Sequence, residues 1–155
     1  MFASGHSAGG HLALWLAGRH KISKESKLYS PAPLEISGVL ALAPASQLDQ
    51  LYEKGVCGNV VDKLIGGSPK KFPQRYDNGS PSRLAPLRVR QIILVGKNDK
   101  DWGWNGKLYT AAVRAAGEKE VEFIEAPDAG HFEVIDPNST TWPLVKRALR
   151  KLLDG

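Results

Sequence analysis

A single cysteine, Cys57, occurs in the 155 residues of this chain. That excludes an intrachain disulfide and a cysteine-cluster metal site. No apolar run approaches the roughly 20 residues that a membrane helix needs, so no membrane partner is expected. The start lacks the basic stretch and cleavage-type apolar run of a signal peptide. A cytoplasmic location is therefore expected, unless a signal lies upstream of Met1. Long basic runs are missing too, although the formal net charge is +5. Lys and Arg are spread along the chain, and their clustering in "KRALRK" fits the wet face of a helix. A phosphate-binding face needs clustered charge rather than a high pI, so nucleic acid is not an expected partner. The glycines near the start are not followed by the lysine of a P-loop, and "GHSAGG" is not a dinucleotide-binding fingerprint. No cofactor and no metal are expected.

What is present is a globular balance, with 42% apolar and 24% charged residues. That is enough for one compact domain with a sizeable core. "SGVLALAP", "QIILVG" (91–96) and "VEFIEA" (121–126) read as buried strands, short apolar runs bounded by breakers. Residues 1–4 read as the end of another strand. "GHSAGGHLALWLAGRH" reads as a turn and then a helix apolar nearly all round, which predicts a buried helix. "NGKLYTAAVRAAG" predicts a helix with Leu108, Ala111 or Ala112, and Ala115 repeating on one apolar face, stopped at Gly117. The tail "TWPLVKRALRKLL" predicts an amphipathic helix with Thr141 as N-cap and a stripe of Trp142, Val145, Leu149 and Leu152. Between them, residues 45–84 read as largely irregular, with short helices at "LDQLYEKG" and "GNVVDKLIGG". Strands alternating with helices imply an α/β fold with a parallel sheet and right-handed crossovers.

Gly5-His6-Ser7-Ala8-Gly9 has the form Gly-x-Ser-x-Gly between a strand and a helix, the setting of a nucleophile elbow. Glycine is expected at Gly5 and Gly9 because bulky side chains there would collide with the adjoining strand and helix. The turn would lift the Ser7 hydroxyl to a helix N-terminus, where the backbone N–H of Ala8 meets a developing oxyanion. A serine nucleophile needs a base, and the base needs an orienting acid. In such a sheet these partners follow in the order Ser, Asp or Glu, His, each just past a strand. Asp99 follows "QIILVG" and His131 follows "VEFIEA". Asp101 rivals Asp99 as the acid; Asp128 and Asp136 are weaker candidates. His6 and His11 read as packing or local hydrogen-bonding residues, and His20 as a solvated helix-end histidine. Trp102 and Trp104 read as packing residues or pocket walls.

The sequence resembles the α/β-hydrolase superfamily, in its branch of small esterases and formamidases with acylaminoacyl-peptidase relatives. The likeness rests on "GHSAGGHLA", on "SPSRLAPL" before "QIILVGKND", and on "AGHFEVID". By position it implies Ser7 as nucleophile, Asp99 as acid and His131 as base in a serine hydrolase of carboxylic esters or amides. The family's acid motif reads Gly-x-x-Asp-x-x-Val-Pro. Gly96 and Asp99 match it, while Trp102 and Gly103 stand in place of Val-Pro. The resemblance further implies that residues 1–155 are the C-terminal part of the fold, about four strands with flanking helices. The earlier strands and the His-Gly-Gly loop that completes the oxyanion hole would then be absent. On that reading the chain is expected to be an impaired enzyme, or else a non-catalytic interaction module or gene-model fragment. Its uncovered first strand would invite self-association or a partner.

Overall fold

The computed structural model describes residues 1–154. Four strands, β1 (Phe2–His6), β2 (Gly38–Leu42), β3 (Arg90–Gly96) and β4 (Val121–Ala126), form one sheet in the order β1-β2-β3-β4. All three pairings are parallel. Helix α1 (Ala8–Gly18) follows β1, α5 (Gly103–Ala115) follows β3 and α6 (Trp142–Asp154) follows β4. The chain is thus an α/β fold with a parallel sheet and flanking helices, as the alternation of buried runs requires.

Successive residues of a strand point to opposite faces, and the core divides accordingly. Val39, Ala41, Ile93 and Val95 pack beneath Ala13, Leu14 and Ala17 of α1 and Tyr109 and Val113 of α5. Leu40, Leu42, Ile92 and Leu94 pack against Val145, Ala148 and Leu152 of α6. Every residue of β2 is buried because both of its faces are covered and both of its edges are paired.

Residues 45–84 hold more helix than their composition predicts. Besides α2 (Leu48–Glu53) and α3 (Val56–Ile65) there are α4 (Pro73–Gly79) and a 3-10 turn at Pro81–Leu84. Pro73 starts α4, where its missing N–H costs nothing and its fixed φ suits a helix. Tyr76 anchors α4 in a third apolar cluster with Leu48, Leu51, Val61 and Ile65.

Three helix faces differ from expectation. In α5 the buried side is Gly106, Tyr109 and Val113, while Leu108, Ala111 and Ala115 are exposed. Its phase is set by Asn105 and Gly106. The Asn105 Oδ1 accepts the Ser46 and Gln47 N–H groups. A Cβ at Gly106 would lie 2.8 Å from Val95 Cγ1, so this glycine lets the helix approach β3. In α6 Ala148 is buried in place of Leu149. Helix α1 is buried on one side only, and Leu12 is 55% exposed. It adjoins β1, which pairs with β2 alone, and Met1 and Phe2 are exposed there as well. No helix among the described residues is long and apolar enough to cross a membrane.

Candidate active site

Parallel strands deliver their following loops to a single rim of the sheet. On this rim lie Ser7 after β1, Asp99 after β3 and His131 after β4. The chain turns abruptly at Ser7, which has φ 53° and ψ −116°. A non-glycine residue in that region carries strain that its surroundings must hold. Three backbone bonds do so: Ser7 N–H donates to Leu42 O (2.9 Å), and Ser7 O accepts from His11 N–H (3.0 Å) and Ala45 N–H (3.2 Å). The Ser7 side chain does not cap α1. Its hydroxyl makes no hydrogen bond among the described residues. Ala8 opens the helix, so its N–H is one of the donors that the helix leaves unsatisfied.

The two motif glycines are not equivalent. A Cβ at Gly5 would run into the Gly9 carbonyl and lie 2.9 Å from the Gly10 nitrogen, all backbone atoms. A Cβ at Gly9 would meet nothing within 4 Å. The expected collision at Gly9 is therefore absent, because Gly9 presents its carbonyl, and not its Cα, to Gly5. The second close approach is made by Gly10, where a Cβ would lie 3.0 Å from Pro44 Cβ.

The acid and histidine loops are bound to each other. Lys97 N–H donates to Ala126 O and Asn98 N–H to Ala129 O. Gly96 allows this approach, since a Cβ there would overlap the Ala129 and Gly130 carbonyls. The result is a 2.6 Å hydrogen bond from His131 Nδ1 to Asp99 Oδ2. The Asp99 side chain is 2% exposed and that of His131 14%, so water competes little for this bond. The other carboxylate oxygen of Asp99 accepts the Trp102 N–H at 2.9 Å. With Nδ1 donating to the carboxylate, Nε2 is left as the basic nitrogen. Asp101, two residues on, is exposed and makes no such bond; Asp128 and Asp136 are exposed as well.

His6 occupies a place its sequence reading did not show. Its Nε2 faces the His131 carbonyl at 2.8 Å and must donate to it. The two imidazoles lie 4.5 Å apart. The residue before Ser7 is thereby tied to the loop of His131, across 125 positions of sequence. Burial lowers the His6 pKa and outweighs the hydrogen bond to the His131 carbonyl, which raises it. No local pattern marks this contact; only its place beside Ser7 hints at it. His11 Nδ1 donates to Ala45 O at 2.9 Å, and His20 lies at the end of α1 beside Ala17 O. Trp102 packs its ring on His131, with centroids 5.6 Å apart, and joins Trp104 at the edge of the third apolar cluster.

No protein-family model matches the chain, and no curated protein sequence matches it. Solved structures do. An acylaminoacyl peptidase of Pyrococcus horikoshii superimposes with a TM-score of 0.68 at 17% identity, covering 97% of this chain and 23% of the peptidase. An esterase of Thermogutta terrifontis, solved with butyrate bound, gives 0.64 at 21% identity, covering 99% of this chain and 54% of the esterase. Dipeptidyl peptidase 4 of Porphyromonas gingivalis gives 0.64 at 18% identity, covering 98% and 19%. This chain therefore has part of the α/β-hydrolase fold. It spans about half the length of the esterase and about a quarter of the acylaminoacyl peptidase.

Proposed function

We propose that this chain carries the nucleophile, base and acid of a serine hydrolase acting on carboxylic esters or amides. The observation that carries the reading is the largely buried His131–Asp99 hydrogen bond, set on the same rim as the strained turn at Ser7. His131 Nε2 takes the Ser7 proton as Oγ attacks the carbonyl carbon. Asp99 holds the imidazole tautomer and stabilises the imidazolium. The Ala8 N–H donates to the developing oxyanion. His131 returns the proton to the leaving group, and water then releases the acyl group by the same route. The structural neighbours are peptidases and esterases, in keeping with this class of reaction.

A single oxyanion donor is not enough for full activity. Removing one donor typically slows an enzyme by about 100- to 1,000-fold, and among the described residues the Ser7 turn offers the Ala8 N–H as its donor. Slow acylation is therefore expected of this chain by itself. The test is labelling with a fluorophosphonate probe. Slow labelling that vanishes in Ser7→Ala supports the assignment. Rapid labelling refutes the impairment, and labelling that survives Ser7→Ala refutes the nucleophile.

A second reading is a hydrolase-fold module that binds and does not catalyse. It is favoured by the unpaired edge of β1, where Met1 and Phe2 are exposed, Phe2 on the α6 face of the sheet, with Leu12 of α1 exposed on the other face. A free strand edge beside such residues is a template for pairing with a second copy. Gel filtration of an unlabelled chain that runs as a stable dimer, and as a monomer after Phe2→Lys, would favour it.

A further inference from the structure

The indole of Trp102 packs on His131 and also borders a cavity of about 490 Å³. The cavity lies between the corner joining α2 to α3 and the start of α5. Its size is that of a small-molecule site. Trp104 forms a second flat wall, and its Nε1–H is spent on the Asp101 carbonyl at 2.8 Å. Lys54 and Lys100 line the same space, as does Asp101.

The charges decide what fits. The Lys54 ammonium is held 4.2 Å above the Trp104 ring, a cation–π contact that fixes it at the wall. Among the described residues neither Lys54, Lys100 nor Asp101 belongs to an ion pair. Two lysines and one aspartate, none of them in an ion pair, thus line the space and leave it with a net positive charge. A cationic ligand meets net repulsion, and Lys54 already covers the Trp104 face it would use. A neutral apolar ligand strips water from Lys54 and gives nothing in return. A carboxylate on a flat apolar group does better on both counts. Its charge pairs with an ammonium that is already positioned, and its flat part lies along the other indole, that of Trp102.

We infer that this cavity binds the part of the substrate remote from the scissile bond, and that this part joins a carboxylate to a flat apolar group. The word substrate rests on the hydrolase reading; the binding itself does not. One wall, Trp102, is shared with His131, so the bound group is held one ring away from the imidazole.

The test separates the two. In the Ser7→Ala chain, benzoate is titrated and followed by tryptophan fluorescence. A saturable change is expected, with affinity lowered about tenfold by Lys54→Met and restored by Lys54→Arg. Lys54 is exposed, so these variants should fold. Benzamide, uncharged and of the same shape, should give no saturable change over that range. An equal response to benzamide, or unchanged affinity in Lys54→Met, overturns the inference. Fluorophosphonate labelling of the unmodified chain is the second arm. Benzoate binding without labelling leaves the cavity site standing and removes the hydrolase reading. Labelling without benzoate binding does the reverse.

Discussion

Gly5 and Gly9 occupy symmetric places in Gly-x-Ser-x-Gly, yet replacing each by alanine should have opposite effects. In Gly5→Ala the new methyl falls on the Gly9 carbonyl and 2.9 Å from the Gly10 nitrogen. None of these atoms belongs to a side chain that can swing away. The first turn of α1 must move by roughly 1 Å to restore ordinary contact. Overpacking of that kind costs about 1–3 kcal/mol. It should fall at the upper end here, because the Ser7 carbonyl that helps hold the strained turn is bonded to His11 and Ala45. A displacement of that size in the reacting groups also costs about 100-fold in rate. In Gly9→Ala the methyl enters open space. Alanine inside a helix is favoured over glycine by about 0.5–1 kcal/mol. Urea unfolding should therefore show Gly5→Ala destabilised by about 3 kcal/mol and Gly9→Ala slightly stabilised. Fluorophosphonate labelling should fall sharply only in Gly5→Ala. Equal destabilisation by the two variants would refute the steric argument.

Asp99→Asn should slow labelling of Ser7 by three to four orders of magnitude, whereas Asp101→Asn should leave it unchanged; comparable losses in both would unseat Asp99 as the orienting acid. Tyr109→Phe removes a buried hydroxyl that donates to Gln91 Oε1 at 2.6 Å. With Gln91 Nε2 already lacking a partner, that loss should cost about 1–3 kcal/mol, read as a lower urea midpoint with unchanged slope. Burial lowers the His11 pKa below its usual 6.5, against the bond to Ala45 O, which raises it. The unfolded chain then binds the proton first on acidification. Stability present above 6.5 should fall as the pH drops below it, and level off beneath the folded pKa. Urea midpoints across that range should fall less steeply in His11→Gln, and an identical pH profile would contradict the burial argument.

Much of this architecture was legible because it is local. "VEFIEA" spans β4 from end to end, and "QIILVG" lacks only Arg90 of β3. A run of apolar residues between breakers leaves a buried parallel strand few alternatives. The order of Ser7, Asp99 and His131 past β1, β3 and β4 was legible for the same reason, since parallel strands present their ends at one rim. Helix faces were less legible. The buried side of α5 follows a polar anchor at Asn105 and a close approach at Gly106. A count of apolar residues weighs neither of these.

Other features were decided by parts of the chain that meet only on folding. Asp99 and Asp101 both follow β3, and although spacing from Gly96 points to Asp99, the hydrogen bond to His131 is formed through two backbone bonds that close the loops after β3 and β4. The contact of His6 with the His131 carbonyl and the cavity beside Trp102 have the same origin. Periodicity reports which residues avoid water, a property each residue carries by itself. Hydrogen bonds between distant loops, and the space a missing Cβ leaves, belong to pairs of segments and exist only once the sheet has brought those segments together.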